Sequence, residues 1–427
     1  MATSSIAKVV GRRLWDSRGR PTVEVEVHLA SGAVGRALAP AGASTGTGEA
    51  LDRRDGGTRF KGLDVTKAVA AVSTEIATAL QGLDAANQAA IDAALIALDG
   101  TPNKSRLGGN AIVATSMAVA HAAARDAGSP LWRYLANGRE ARLPLPEIQI
   151  FGGGAHAGKR VDVQDFMVIA VGAADYTEAL DWTAEVYRAA GDLMAEAGLL
   201  QGVADEGGFW PAFQTNSEAL DMLVRAIERA GLRPREDVAI SLDVAASEFG
   251  KNGRYRLALE TRELDSVEII ELLLGWLKRY PIVAIEDPLA EDDAAGFARF
   301  TAAAGKVAVV GDDLLVTSAR RVRSAAAQRA CNTALIKPNQ VGTLTEAKAA
   351  FDAALDEGWS AIVSARSGET EDVTITHLAV GWGAPMLKVG SFARSERMAK
   401  WNEGLRIAES WGGRGALPPR SAFAWGK

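Results

Sequence analysis

Cysteine is nearly absent from this chain, and other features that would mark special classes of protein are missing as well. The single cysteine, Cys331, excludes an internal disulfide and a metal site built from several thiolates. No apolar run approaches the roughly 18 residues of a transmembrane helix. No basic tract points to nucleic acid, and the N-terminus lacks the apolar core of a signal peptide. We therefore expect a cytoplasmic protein that binds neither nucleic acid nor a membrane.

The composition is that of an ordinary globular protein. Hydrophobic residues make up 48% of the 427 residues and charged residues 23%, which excludes disorder, collagen and coiled coil as the main organisation. Lys and Arg number 47 against 53 for Asp and Glu, so the net charge is −6. The length predicts two or three domains, each able to bury a core without a disulfide or metal.

Two kinds of pattern divide the chain. Residues 4–38 alternate apolar and polar positions around a Ser-Gly turn, which predicts strands and a hairpin. Residues 39–50 are rich in Gly, Ser and Thr and predict a loop, whereas residues 63–126 are Ala-rich and amphipathic and predict helices. Strands followed by helices indicate a separate α+β domain. We place this domain at residues 1–138 and a second domain at residues 139–427.

In the second domain, short apolar runs alternate with helical segments. Six runs are predicted to be buried strands: 238–243, 282–287, 306–313, 333–339, 360–369 and 385–391. Repeated strand-then-helix units indicate parallel strands, and their number favours a closed (β/α)8 barrel over an open sheet. The predicted fold class is thus α/β, a TIM-like C-terminal barrel with an N-terminal α+β capping domain.

Polar side chains come directly after these apolar runs. They are Asp243, Glu286, Asp312, Lys337, Arg366, Ser367 and Lys388. The C-terminal ends of barrel strands meet at one mouth, where active sites are built. Helix capping would explain any one acidic residue here, but polar residues at the ends of all six predicted strands, with Arg366 and Ser367 at one of them, favour a common site.

Three of these residues form a candidate metal site. Asp243, Glu286 and Asp312 offer hard oxygen ligands without His or Cys neighbours, which selects Mg2+ or Mn2+ over zinc or copper. The alternative is that they form salt bridges with Lys337 and Lys388. We disfavour it because a mouth with more carboxylates than lysines would remain underneutralised without a cation.

The remaining residues suggest acid–base chemistry on an anion. A nearby metal cation would lower the pKa of Lys337 or Lys388 towards that of a general base. Glu206 lies in a Gly-flanked acidic turn and could act as the opposing acid. Arg366 and Ser367 suit phosphate recognition, because a guanidinium and a hydroxyl match phosphate oxygens.

These residues lie in motifs that resemble the enolase family, the phosphopyruvate hydratases of glycolysis, from end to end of the chain. The matching motifs are LWDSRGRPTVEVEV (14–27), GASTG (42–46), DGTPNKSRLGGNAI (99–112), GGAHAG (153–158), DEGGFWP (205–211), LDVAASEF (242–249), IEDPLAEDD (285–293), GDDLLVT (311–317), LIKPNQVGT (335–343), RSGETED (366–372) and RSERMAKWNEGLRI (394–407). The resemblance implies an enolase-type barrel, a homodimer or an octamer of dimers, and a small phosphorylated carboxylate as substrate.

The resemblance also implies roles for single residues. Asp243, Glu286 and Asp312 resemble the ligands of a tight Mg2+, and Ser44 resembles the ligand of a second, substrate-dependent Mg2+. Lys337 resembles the base that removes the α proton of 2-phosphoglycerate to form a metal-stabilised enolate. The acid that assists departure of hydroxide would be Glu206, with Asp165 as its partner. The implied substrate-binding residues are His156, Arg366, Ser367 and Lys388.

Several positions depart from the family pattern, and they surround the leaving hydroxyl and the lid. Ala365 replaces a histidine, Asp165 a longer glutamate, Gly152 an asparagine and Ala204 a glycine, while Lys159 and Arg160 add positive charge. An alternative function is therefore that of a diverged paralogue such as carboxyphosphonoenolpyruvate synthase of phosphonate (phosphinothricin-type) antibiotic biosynthesis, which adds a phosphonoformate-derived group to such a substrate. A third hypothesis, a non-catalytic enolase-like binding protein, is disfavoured by the intact carboxylates and Lys337.

Overall fold

A computed structural model describes residues 4–43, 45–259, 262–413 and 415–426. Its N-terminal part is a three-stranded antiparallel sheet with helices on one face. The strands are β1 (Ile6–Trp15), β2 (Pro21–Leu29) and β3 (Val34–Leu38). The predicted hairpin joins β2 to β3, so the prediction for this segment is confirmed.

The helices of this part follow the predicted Ala-rich segments. They are α1 (Thr66–Ala71), α2 (Ala77–Leu80), α3 (Gln88–Asp99), α4 (Gly109–Asp126) and α5 (Leu131–Ala136), with a π-helical turn at Val72–Ile76 between α1 and α2. Helix α4 is almost wholly buried and packs on the sheet. Its small residues allow close contact: a Cβ atom on Gly35 of β3 would lie 2.1 Å from the carbonyl oxygen of Ala118.

The rest of the chain forms a closed barrel of eight strands. They are β4 (Leu145–Gly152), β5 (Asp165–Ile169), β6 (Ala239–Asp243), β10 (Ile282–Glu286), β11 (Ala308–Gly311), β12 (Thr333–Ile336), β13 (Ser360–Ser364) and β14 (Met386–Ser391), while β7 (Gly250–Lys251), β8 (Arg254–Leu257) and β9 (Arg262–Asp265) form a small separate sheet. All barrel strands are buried along their whole length, as strands covered on both faces are.

Helices surround the barrel. They are α6 (Tyr176–Glu196), α7 (Asn216–Arg229), α8 (Ser266–Arg279), α9 (Ala294–Ala303), α10 (Ala319–Ala327), α11 (Pro338–Val341), α12 (Leu344–Asp356), α13 (Thr374–Trp382) and α14 (Ser395–Ser410). The α/β barrel with its N-terminal α+β domain is the predicted fold. None of the described helices combines the length and apolar character needed to cross a membrane.

One strand runs against the others. The strand order around the barrel is β10-β11-β12-β13-β14-β4-β5-β6, and β5 is antiparallel to both of its neighbours. The six strands predicted from sequence are all parallel. Strand β5 reverses because it follows β4 through a hairpin-like connection without a crossover helix.

Candidate active site

The predicted residues gather at one mouth of the barrel. Strands β6 and β10 end at Asp243 and Glu286, and Asp312 and Lys337 directly follow β11 and β12. Because β5 is reversed, its first residue, Asp165, lies at the same mouth, opposite Asp243 in the ladder. Strand β5 thus contributes to the mouth through its N-terminal end. The rule that active-site residues lie at the C-terminal ends of barrel strands does not predict this.

The strand order places two groups on opposite sides of the mouth. Strands β12 and β5 are separated by three strands in either direction around the eight-stranded barrel. Lys337 at the end of β12 therefore faces Asp165 at the start of β5 across the opening. The cavity between them is lined by both residues and by Glu206, Ala365 and Lys388.

Ion pairs link the lysines to the three predicted metal ligands. Lys388 Nζ lies 2.8 Å from Asp243 Oδ2 and 2.6 Å from Glu286 Oε2. Lys337 Nζ lies 2.5 Å from Asp312 Oδ2. The same three carboxylates thus form the salt bridges that were the alternative to a metal site.

The charge balance of the mouth fits a divalent cation. Glu286 Oε1 is buried and has no hydrogen-bond partner among the residues that the structure describes. Burial and the charge of Asp243 raise the pKa of Glu286 well above its ordinary value despite Lys388. The site therefore holds more buried carboxylate than its lysines neutralise, and its hard oxygen donors are those that Mg2+ prefers. The residues that could hold the ion are Asp243, Glu286 and Asp312.

Two other groups bring three ligand atoms within 4.8 Å of one another among the described residues. They are Asp287, Asp312 and Asp313, and His156, Asp165 and Glu206. The predicted triad is not such a group, and the Lys388 ammonium contacts both Asp243 and Glu286. Ser44, predicted to ligate a second ion, lies outside the described residues.

The pKa of Lys337 differs from the sequence-based expectation. Burial lowers the pKa of this lysine, but the charges of Asp312 and Glu286 raise it, and the resulting pKa lies above the ordinary value. The expectation of a lowered pKa assumed a metal cation beside the lysine. In this structure the nearest charge is instead an anion in direct contact.

A histidine joins the two carboxylates on the other side of the mouth. His156 lies on a 3-10 turn (Gly154–Ala157); its Nδ1 is 2.9 Å from Asp165 Oδ1 and its Nε2 is 3.7 Å from Glu206 Oε1. Burial lowers the pKa of His156, but these two carboxylates outweigh it and raise that pKa to about 9. The imidazolium therefore neutralises part of the acidic pair at neutral pH.

The predicted phosphate-binding pair faces the N-terminal domain. Arg366 Nη1 donates to Glu49 Oε2 at 3.0 Å and to Asn339 Oδ1 at 3.1 Å. Ser367 Oγ accepts from Arg18 Nη1 at 3.1 Å. Two arginines and a hydroxyl group thus adjoin this side of the mouth, and one of the arginines, Arg18, comes from the N-terminal domain.

The residues that depart from the family pattern lie in different parts of the site and its surroundings. Ala365 lines the cavity, at the position where the family pattern has a histidine. Gly152 and Ala204 touch each other: a Cβ atom on Gly152 would lie 2.6 Å from the Cβ of Ala204. Lys159 is exposed, pairs with Glu248 at 3.0 Å and does not line the cavity. A carboxylate therefore neutralises the charge that was expected near the substrate.

Two glutamines of the site were not singled out from the sequence. Gln149 donates to Asp165 and accepts from the Gly208 amide at 2.8 Å, so it links the acidic pair to the turn of Glu206. Gln340 donates to Asp312 Oδ1 at 2.9 Å. For Gln149, the sequence did offer a signal, because this polar residue lies within the apolar run of β4. A buried amide can have many roles, however, and its role is defined only by its hydrogen-bond partners.

Comparison with protein families agrees with this architecture. The family described as "Enolase, N-terminal domain" matches residues 6–135, and the family described as "Enolase, C-terminal TIM barrel domain" matches residues 140–423. Together the two matches cover nearly the whole chain.

Proposed function

Because the chain belongs to the enolase family, we propose that it is a Mg2+-dependent enzyme acting on substrates of the 2-phosphoglycerate and phosphoenolpyruvate type. The observation that supports this most is the separation of Lys337 from Glu206 and Asp165 across one cavity. A base on one side and carboxylates on the other suit removal of a proton from one carbon and departure of hydroxide from the next. Positioning both groups around one substrate supplies much of the rate acceleration.

The residues have separate tasks in this proposal. Lys337 takes the α proton of 2-phosphoglycerate, and Lys388 binds the carboxylate of the substrate. Glu206, with Asp165 and His156 beside it, delivers a proton to the leaving hydroxyl. A divalent cation at Asp243, Glu286 and Asp312 would supply electrostatic stabilisation of the negative charge that develops on the substrate carboxylate. The roles of Arg366 and Ser367 would be to bind the phosphate.

Two measurements test the proposal at separate steps. Exchange of the α proton of 2-phosphoglycerate in deuterated buffer with Mg2+ reports on Lys337 alone, and ultraviolet absorbance reports phosphoenolpyruvate formation. We expect Lys337→Ala to abolish exchange, whereas Lys278→Ala, at an exposed lysine of α8, leaves it unchanged. Absence of exchange by the wild type with Mg2+ and 2-phosphoglycerate would refute the proposal. Binding of the substrate without any exchange would instead favour a non-catalytic binding protein.

A second candidate function is favoured by Ala365, which lines the cavity where the family has a histidine. We propose as the alternative that the enzyme is a paralogue of the carboxyphosphonoenolpyruvate synthase type, which joins a phosphonoformate-derived group to the substrate. In that case α-proton exchange persists while phosphoenolpyruvate formation is weak. The variant Ala365→His with Asp165→Glu should then raise hydratase activity; no increase would count against this reading of the two departures.

Assembly, which the same resemblance implies, and location are proposals too. We propose a homodimer or an octamer of dimers in the cytoplasm, with a second, substrate-dependent Mg2+ site. Light scattering on the purified protein distinguishes a dimer from an octamer. Calorimetric titration of Mg2+ with and without 2-phosphoglycerate counts the ions.

A further inference from the structure

Two fully buried cations lie behind the substrate-binding loop, on helix α14. Arg397 and Lys400 have no exposed side-chain surface. Both belong to the motif of residues 394–407, to which the proposed chemistry gives no role. The two residues are three positions apart, so they lie on one face of α14.

Arg397 holds the backbone of two substrate-binding elements at once. Its Nη1 donates to the carbonyl oxygens of Arg366 at 2.6 Å and of Val389 at 2.7 Å, and its Nη2 donates to the carbonyl oxygen of Ser367. Val389 follows Lys388 on β14. One guanidinium thus connects the predicted phosphate-binding pair to the strand of the predicted carboxylate-binding lysine.

Lys400 holds the far end of the same loop. Its Nζ donates to the carbonyl oxygen of Thr370 at 2.8 Å and lies 3.0 Å from Glu369 Oε2. The other oxygen of Glu369 accepts from the backbone N–H of Arg366 at 3.0 Å. The loop 366–370 is therefore fastened at both ends by side chains from one helix.

Contacts of Arg397 and β14 also reach the turn that carries Glu206, on the other side of the site. Gly390 has a φ of 118°, and a Cβ atom there would lie 3.1 Å from both Arg397 Cδ and Glu206 Cβ. The carbonyl oxygen of Glu206 accepts from the Ser391 amide at 3.0 Å. Arg397 consequently packs against the same short segment of β14 that supports Glu206.

Stability alone does not account for these cations. Replacing a buried ion pair by apolar side chains of similar volume is often neutral or stabilising. A planar guanidinium can instead satisfy several carbonyl oxygens in one fixed geometry, which a single apolar group cannot do. Most of these donors are directed at the carbonyl oxygens of residues 366, 367 and 370 in the loop and of Val389 on β14.

We propose that Arg397 and Lys400 are positioning residues that hold loop 366–370 in a fixed position relative to the end of β14, and thereby set the affinity for the phosphate of the substrate. The inference rests on the proposed function, because the position of the loop matters to affinity only if Arg366 and Ser367 bind that phosphate. Neither residue touches the substrate. Their effect is transmitted through the backbone of the loop.

The first test needs no activity. Hydrogen exchange followed by mass spectrometry compares the wild type with Arg397→Lys, Lys400→Met and the matched control Arg406→Lys, which lies exposed on α14 beside Glu403. We expect amides of residues 366–370 to exchange roughly 10- to 100-fold faster in the first two variants, as for loss of a hydrogen bond to a charged group. Amides of β2 in the N-terminal domain should not change. Unchanged exchange of the loop would overturn the proposal.

The second test measures binding and turnover of 2-phosphoglycerate with Mg2+. We expect KM and the calorimetric Kd to rise roughly 10- to 100-fold in Arg397→Lys and Lys400→Met, with kcat changed much less, because misplacement near 1 Å has such effects. Lowered thermal stability with unchanged KM would mean a merely structural role and overturn the proposal. If Arg397→Lys does not fold, Lys400→Met tests the other end of the loop. If the wild type binds no 2-phosphoglycerate, the proposed function fails, and the exchange measurement still decides whether the cations hold the loop.

Discussion

Replacing Gly152 by alanine is expected to displace the turn that carries Glu206. The added Cβ would lie 2.6 Å from the Cβ of Ala204, roughly 1 Å closer than the 3.5–4.0 Å optimum between carbon atoms. Ala204 cannot retreat alone, because its N–H donates to the Gly208 carbonyl at 2.7 Å and its carbonyl accepts from Gly207 at 3.0 Å. The whole turn, and Glu206 with it, therefore has to move.

The stability and activity losses should differ in size. Overpacking of this kind costs about 1–3 kcal/mol. A 427-residue chain that unfolds as one unit has an unfolding entropy of about 0.9 kcal/mol/K, so 2 kcal/mol lowers Tm by only about 2 °C. A catalytic group displaced by about 1 Å loses roughly 100-fold in rate. We therefore expect a large drop in turnover of 2-phosphoglycerate with a small drop in Tm.

A double-mutant cycle tests the cause. Ala204→Gly removes the methyl group that meets the new Cβ, so Gly152→Ala with Ala204→Gly should recover most of the activity and Tm. The coupling energy should be about 0.5–3 kcal/mol, the range for residues in contact. Gly413→Ala is the control, since an added Cβ there meets no atom within 4 Å among the non-adjacent described residues. Full activity of Gly152→Ala, or additive effects in the double variant, would refute the reasoning.

Three further predictions concern buried polar groups. Gln149→Leu should lower kcat/KM roughly 10- to 100-fold, since it removes one of the donors to Asp165 and takes its buried acceptor from the Gly208 N–H; unchanged kinetics would contradict this. Burial raises the pKa of the Cys331 thiol well above its ordinary value, so a thiol reagent should react with it in denaturant and not in the native protein. Burial lowers the pKa of His121 to about 4, so the unfolded chain binds the proton more readily and stability should fall as the pH drops from about 6.5 to 4. Urea midpoints of the wild type and His121→Gln across that range check this, and parallel curves would exclude His121 as the cause.

Much of the candidate site follows from one rule about barrels. Asp243, Glu286, Asp312 and Lys337 each end or follow a buried apolar run, and the ends of parallel strands meet at one mouth. Asp165 escapes that rule because β5 runs in the opposite direction. Family resemblance identified it where strand geometry could not.

Contacts between residues that are far apart in the chain could not be predicted from the sequence. Gly152 and Ala204 are separate departures along the chain, and their contact exists because the Glu206 turn folds over the end of β4. The pKa of Lys337 depends on which charge lies nearest, and that is decided by a side chain 25 positions away. Local sequence patterns predict neither the contact between Gly152 and Ala204 nor that between Lys337 and Asp312.

The sequence by itself determined six of the eight barrel strands and the kinds of side chain that reach the mouth, because periodicity and residue chemistry are local properties. Only the tertiary structure decided that Lys388 lies between Asp243 and Glu286, more than 100 positions away in each case. It likewise decided that Arg397 on the last long helix reaches the phosphate-binding loop and β14 together. The physical reason is closure of the barrel, which brings the ends of distant strands within hydrogen-bonding distance.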